Sequence, residues 1–361
     1  MRKRLVLIDG HAIVYRAYYA FPPTLKTKSG EQANAVYGFL SILLSVVKEL
    51  KPSHIAVAFD MGKPTFRHLE FADYKAQRPE TDKELIDQIG MVKDSVKALN
   101  MPIFGVEGFE ADDVIGTLAK QSYDKKIEAM IVTGDQDAMQ LVNGNVKVYV
   151  PARGRFPAMI YGTREVKERY GFTPKQMIDY KALCGDPSDN IPGIKGIGPK
   201  TAVGLIEKFG GVEGVYKRIA GGIRPLNNEK KLKSKGYSPL TAINSDVEGI
   251  SKSVMEKLIN GYEEAMKSKM LATIILDVPI TLKLKKCVLC DYDKSKAISF
   301  LEELGFYSII KRLPSDSWAD KAEEIFTEKP GIHRVKSAKN KKSKGYSPLT
   351  AINNSQIGLF S

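Results

Sequence analysis

Cysteine, histidine and long apolar runs are all scarce in this chain. Its 361 residues hold three cysteines, Cys184, Cys287 and Cys290, too few for a disulfide framework and consistent with a reducing compartment. Cys287 and Cys290 have metal-like spacing, but no second pair completes a zinc set and the four histidines are scattered. No apolar stretch approaches membrane-spanning length, so no membrane partner is expected. The start, Met1-Arg-Lys-Arg, is basic, but the apolar run after it ends at Asp9 after four residues. It reads as a first strand rather than a signal peptide. Acid is also in deficit, giving a formal net charge of +13, as expected of a protein that meets a polyanion.

The acids that are present are concentrated. Nine fall in five short clusters: Leu-Ile-Asp9-Gly, Ala-Phe-Asp60-Met-Gly, Glu110-Ala-Asp112-Asp113, Gly-Asp135-Gln-Asp137 and Gly-Asp186-Pro-Ser-Asp189-Asn. Asp9, Asp60 and Asp135 each end an apolar run of the kind that forms parallel strands buried on both faces. Open parallel sheets place ligand sites beyond the carboxyl ends of their strands. Three strands would thus deliver acid to one rim, where such charge density is tolerable only around cations. Oxygen-rich, imidazole-poor donors suit Mg²⁺ or Mn²⁺. The pattern implies a metal-dependent enzyme acting on phosphates.

Residues 1–170 alternate strand and helix patterns and are expected to form an α/β core. A mostly apolar helix is expected over 33–50, and a helix carrying acids in its first turn from Asp112. The stretch 61–101 differs, mixing basic and aromatic residues over 62–78 ahead of an amphipathic helix over 81–99. It would clamp an extended strand by stacking and phosphate contacts, although a solvated surface loop would show the same composition.

Residues 171–312 read as a helical domain whose core signal is Ile191-Pro-Gly193-Ile-Lys195-Gly196-Ile-Gly198-Pro-Lys200-Thr201. Closely spaced glycines turn tightly, Pro199 suits a helix first turn, and free N–H groups there face a phosphate. This is a helix-hairpin-helix pattern, which grips duplex DNA by its backbone without reading bases. The twelve residues Lys233–Asn244 recur identically at Lys342–Asn353. Two copies do not make a solenoid, and the Gly, Pro and Ser in each favour a loop. We read the segment 228–246 as a surface insertion without a catalytic role. Residues 313–361, polar and basic, are expected to be a disordered tail.

Together these motifs, with Tyr15-Arg16-Ala-Tyr, Phe59-Asp60-Met-Gly-Lys-Pro-Thr-Phe-Arg67 and Tyr74-Lys75-Ala-Gln-Arg78-Pro, resemble the 5′ nuclease (flap endonuclease) domain of bacterial DNA polymerase I. The resemblance runs to about residue 312 and implies an α/β, PIN-like parallel-sheet core with a helical arch at 61–101, joined to a helix-three-turn-helix domain. It also implies two divalent cations. Asp60, Glu110, Asp112 and Asp135 would hold the first; Asp135, Asp137, Asp186 and Asp189 the second, with Asp9 and Asp113 nearby. A monovalent cation at the hairpin is implied too. Lys75 and Arg78 would neutralise the scissile phosphate, and no protein nucleophile is needed. DNA would meet Arg16, Arg67, Tyr74, Gly193, Lys195, Gly196, Gly198, Lys200 and Thr201.

By the same resemblance the substrates would be 5′ flaps, nicked or gapped duplex and RNA-primed ends, in the bacterial cytoplasm with the nucleoid. A polymerase would follow such a domain, so either a stand-alone nuclease or the remnant of a split gene is expected, the latter with a separate polymerase chain as partner. Gln356-Ile-Gly-Leu359-Phe360 resembles the pentapeptide that docks bacterial proteins on the sliding clamp. The rival reading is an inactive junction-binding adaptor. Loss of metal ligands would mark one, and here every acid of the pattern is present.

Overall fold

A computed structural model of the chain describes residues 3–62, 64–222, 249–289 and 292–313. They fall into two compact units. The first takes its described residues from Met1–Leu69, Pro79–Thr163 and Ile274–Tyr346, the second from Glu70–Arg78 and Arg164–Thr273.

The first unit is built on strands β1 (Arg4–Asp9), β2 (His54–Ala58), β3 (Ile103–Phe104), β4 (Glu128–Val132), β5 (Val146–Val150) and β6 (Met159–Tyr161). They form one sheet in the order β3-β2-β1-β4-β5-β6. Every pairing is parallel except that of β6, which runs antiparallel to β5. β1 lies between β2 and β4, with Val6 opposite both Ile55 and Met130. The parallel strands are apolar at nearly every position because both faces are covered, and Leu5, Val6, Val57, Ile131 and Val132 are fully buried. The short β6 breaks that rule with Met159 and Ile160 exposed, which is why no buried-strand signal marks it.

Helices α1 (Gly10–Ala20), α2 (Asn34–Leu50), α3 (Phe66–Glu70), α4 (Lys83–Ala98) and α5 (Ala111–Asp124) complete this unit up to residue 163. Phe39, Leu40 and Leu43 of α2 share a core with Val6, Ile8, Val57 and Val92. Truncating Phe39 to Ala at such a site typically costs about 3–5 kcal/mol.

The chain after residue 273 departs from the expected division. Val288 bridges to His54, and the Leu289 amide donates to the Ser53 carbonyl at 3.0 Å. Two further helices, α12 (Lys294–Glu303) and α13 (Tyr307–Ile310), put Leu301 and Ile309 into the same core as Val6 and Phe39. The periodicity of α12 is ordinary, so it told of a helix without telling which layer that helix would cover.

The second unit is helical: α6 (Thr163–Tyr170), α7 (Met177–Cys184), α8 (Pro199–Phe209), α9 (Val212–Gly222), α10 (Lys252–Asn260) and α11 (Tyr262–Ala272). α7 packs on α8 and α11. The segment Glu70–Arg78, expected to be part of the arch, clusters with this unit instead. Tyr74 is buried with Ile191, Leu271 and Ala272, and Phe71 packs against them, so apolar burial decides its allegiance.

Candidate active site

Asp9 closes β1 and caps α1. Its carboxylate accepts from the Ala12 amide at 3.0 Å and from the Thr133 hydroxyl at 2.8 Å. Burial pushes its pKa up to about 6; the negative charges of Asp60 and Asp135 push the same way, against those two hydrogen bonds. Asp60 stands two residues beyond β2. Its Oδ1 accepts from the Ala111 amide at 2.6 Å, and its Oδ2 lies 3.0 Å from His11 Nδ1. Asp135 follows β4 and accepts from the Asp137 amide at 2.8 Å, tightening the turn that opens the 3₁₀ segment Asp137–Leu141. Because β2, β1 and β4 are neighbours, these acids belong to one carboxyl edge, at the point where the strand order reverses.

Glu110 is the N-cap of α5, in a reciprocal capping box with Asp113, and Asp112 lies in the first turn. Asp113 itself is fully buried and bound through both oxygens to the Arg67 guanidinium at 2.8 Å. That placement removes Asp113 from the expected metal ligands, since both its oxygens already face a cation. It also removes Arg67, 2 % exposed, from the expected DNA contacts.

The acids of the helical unit are likewise ion-paired. Asp189 accepts from Arg78 at 2.5 Å, with the Tyr74 hydroxyl at 3.4 Å and Lys75 Nζ at 3.8 Å. Asp186 pairs with Lys181 and accepts from the Ser188 amide and hydroxyl at 2.9 and 2.7 Å. Burial would raise its pKa, but the Lys181 charge and these bonds hold it below the usual carboxylate range. Tyr74 is 3 % exposed, so it is a core residue and not an open stacking surface. Arg16 donates to the Pro151 and Ala152 carbonyls at 2.7 and 2.5 Å, a tie inside the sheet unit.

The hairpin forms much as its residues imply. Gly198 is the N-cap of α8 with Pro199 in its first turn, and Lys195, Gly196, Gly198 and Lys200 are exposed while Thr201 is half-buried. Gly193 is different. It is buried at φ +60°, and a Cβ there would sit 2.2 Å from the Gly185 nitrogen. Its role is the close approach of two backbone segments rather than contact with a ligand.

Among the described residues, no three His, Cys, Asp or Glu side chains converge closely enough to hold an ion as placed. Asp60 and Asp135 are instead turned toward backbone amides. The donor chemistry nevertheless fits: the acids at this edge are all oxygen donors, and burial, with the charges of Asp60 and Asp135 behind it, raises Asp9. Sequence reasoning did not single out His11, Thr133 or Lys181. Each is adjacent to a site acid only in space or by helical spacing, and no local pattern announces it. Gln356, Leu359, Phe360, both copies of the repeat and the 228–246 insertion lie outside the described residues.

Residues 4–171 match the family described as 5′-3′ exonuclease, N-terminal resolvase-like domain, and residues 172–295 match 5′-3′ exonuclease, C-terminal SAM fold. The matches are contiguous and together cover well over half the chain. The chain belongs to the 5′-3′ exonuclease family. The chain is 38% identical over 317 residues to DNA polymerase I of Bacillus caldotenax, an alignment covering 88% of the chain and 33% of that protein. It is 37% identical over 316 residues to DNA polymerase I of Bacillus subtilis, with the same coverage. The chain therefore spans about a third of the length of these relatives. Among solved structures it is similar to T5 5′-exonuclease with bound zinc ions, with TM-score 0.55 and 20% identity over 90% of this chain and 99% of that one. It is also similar to the catalytic core of Rad2 in complex with DNA substrate, with TM-score 0.51 and 18% identity over 87% and 93% of the two chains. The likenesses and the family models agree on the fold: a resolvase-like, mostly parallel sheet unit and a helical SAM-fold unit.

Proposed function

We propose that this member of the 5′-3′ exonuclease family is a structure-specific 5′ nuclease that hydrolyses DNA phosphodiesters at 5′ flaps and nicked, gapped or RNA-primed ends. The observation that carries this reading is the acid edge: Asp9 closes β1, and Asp60 and Asp135 follow the neighbouring strands β2 and β4 at the same end of the sheet. Asp60, Glu110, Asp112 and Asp135 would hold a divalent cation, Mg²⁺ or Mn²⁺. Asp186 and Asp189 enter as further ligands, with Asp137, on the sequence resemblance alone. Bound in such a site, divalent cations supply acidified water and charge stabilisation at phosphorus.

The chain's own part is to position. Lys75 and Arg78, held on Asp189 in the absence of substrate, are the cations to receive a phosphate, Arg78 in bidentate fashion. The exposed Lys195, Gly196, Gly198 and Lys200, at a helix N-terminus preceded by glycines, suit the backbone of a duplex arm, with a monovalent cation as the hairpin's further ligand. Gln356, Leu359 and Phe360 are proposed to dock on a sliding clamp, and a separate polymerase chain is a further partner. The proposed setting is the bacterial cytoplasm and nucleoid. Among the described residues no helix is long and apolar enough to cross a membrane.

Cleavage of a 5′-labelled flap duplex in Mg²⁺, with an EDTA control, tests the reading. Incision near the junction that EDTA abolishes supports it. Tight junction binding without cutting in Mg²⁺ or Mn²⁺ would favour the adaptor. Clamp binding that survives removal of residues 356–361 would dismiss the tail motif.

A further inference from the structure

We propose that the buried Arg67–Asp113 pair is a positioning device that sets the Glu110 carboxylate for a divalent cation; this rests on the reading of Glu110 as a metal ligand. Asp113 is a hub. Its Oδ1 accepts from Arg67 Nη2 at 2.8 Å and from the Ile275 amide at 2.8 Å. Its Oδ2 accepts from Arg67 Nη1 at 2.8 Å and from the Glu110 amide at 3.1 Å. Arg67 Nη1 also lies 3.6 Å from Glu110 Oε2. Glu110 is thus held twice: its backbone by the Asp113 carboxylate, and its side chain by the capping box and the Arg67 charge.

Arg67 is itself seated firmly. Its guanidinium lies 4.6 Å from the centroid of the Phe66 ring, and the Phe66 amide donates to the Gly108 carbonyl at 3.4 Å. The side chains of Arg67 and Asp113 are 3% and 0% exposed, so neither faces solvent or a strand of DNA. The pair consequently ties three chain segments, α3, the start of α5 and the extended segment at Ile275, around one candidate ligand. Groups that orient a metal ligand in this way typically change metal affinity 10–100-fold when removed.

The sign of the charge change makes the test decisive. Arg67→Met removes a positive charge beside the acid edge, which by electrostatics alone would tighten cation binding. A positioning role predicts the reverse. Mn²⁺ uptake by the full chain, read from loss of the free-ion paramagnetic resonance signal, is expected to weaken about tenfold or more in Arg67→Met and in Asp113→Asn. The double variant Arg67→Met/Asp113→Asn conserves net charge and keeps an acceptor for one of the Glu110 and Ile275 amides, which donate to different oxygens of Asp113. Its thermal midpoint should recover part of what either single variant loses, because no buried charge is left unpaired although one amide loses its acceptor, while Mn²⁺ binding stays weak. Flap-DNA affinity in EDTA should match wild type in every variant.

Three results would overturn the inference. In the first, Arg67→Met weakens DNA binding in EDTA and lowers its salt slope by about 1, the mark of a phosphate contact. In the second, Mn²⁺ binding tightens in Arg67→Met but vanishes in Asp113→Asn, the mark of a direct ligand. In the third, a stable double variant binds Mn²⁺ as wild type does, leaving the pair purely structural. Wild-type protein that neither takes up Mn²⁺ nor cuts a flap would instead sink the nuclease reading, and this inference with it.

Discussion

Arg78 donates to Asp189 at 2.5 Å, joining the Glu70–Arg78 segment to the loop that carries Asp186 and Asp189. The tie is reinforced on both sides: the Lys75 amide donates to the Asp189 carbonyl at 3.1 Å, and Asn190 Nδ2 to the Asp73 carbonyl at 2.7 Å. The arginine side chain is 38% exposed and open to exchange one anion for another, whereas the Asp189 side chain is only 11% exposed.

From that exchange follows a kinetic expectation. Arg78→Ala should lower the single-turnover rate of flap cleavage by about 10²–10³-fold, the usual loss when one donor to a developing charge is removed. Arg78→Lys should recover only part of the rate, because an ammonium cannot bridge two phosphate oxygens. A variant as fast as wild type would show that Arg78 has a structural role alone.

Asp135→Ala should abolish turnover in Mg²⁺ while leaving junction binding in place. Asp135 stands beyond β4, next to the strand that carries Asp9, and its charge is one of those that raise Asp9. Rapid-quench cleavage paired with a gel-shift titration in Ca²⁺ separates the two effects. Turnover retained in Mg²⁺ would remove Asp135 from the site.

Gly193→Ala should damage the helical unit itself. The added Cβ would meet the Gly185 nitrogen at 2.2 Å and the Cys184 carbonyl carbon at 2.6 Å, at a φ of +60° that already disfavours alanine. A loss of about 2 kcal/mol or more is expected, read as a shift of the urea midpoint. Gly198→Ala, where nothing lies within 4 Å of the added carbon and φ is −98°, is the control and should unfold as wild type does.

Acid should weaken the sheet unit through Glu128. Burial alone would raise its pKa, but hydrogen bonds from Lys147 at 2.9 Å and Arg4 at 3.0 Å outweigh that and hold it below its ordinary 4.5. A carboxylate depressed in the folded state stabilises above its unfolded pKa, and that contribution is lost as pH falls through the folded value. Urea midpoints should therefore drop below about pH 4.5 in wild type, and less steeply in Glu128→Gln. Parallel pH profiles for the two proteins would refute the assignment.

Much of this architecture could be read from local pattern. The apolar runs ending at Asp9, Asp60 and Asp135 announce buried parallel strands, and α2 and α4 begin within one or two residues of their expected starts. The turn at Gly193 to Pro199 was equally clear, because glycine and proline act on the backbone where they stand. β6 was missed because a three-residue edge strand with exposed Met159 and Ile160 has no buried period to detect.

Residue chemistry and period, then, settled which elements form and which acids end them, since both are properties of a few consecutive residues. Folding alone settled who faces whom. Arg67 and Asp113 stand 46 residues apart, and nothing local distinguishes a buried bidentate pair from a surface arginine and a metal ligand. Tyr74 joins Leu271, and α12 joins the core of α2, for the same reason. Burial is a gain made between segments distant in the chain, so the final environment of each charged or aromatic side chain is decided by tertiary packing rather than by its neighbours in sequence.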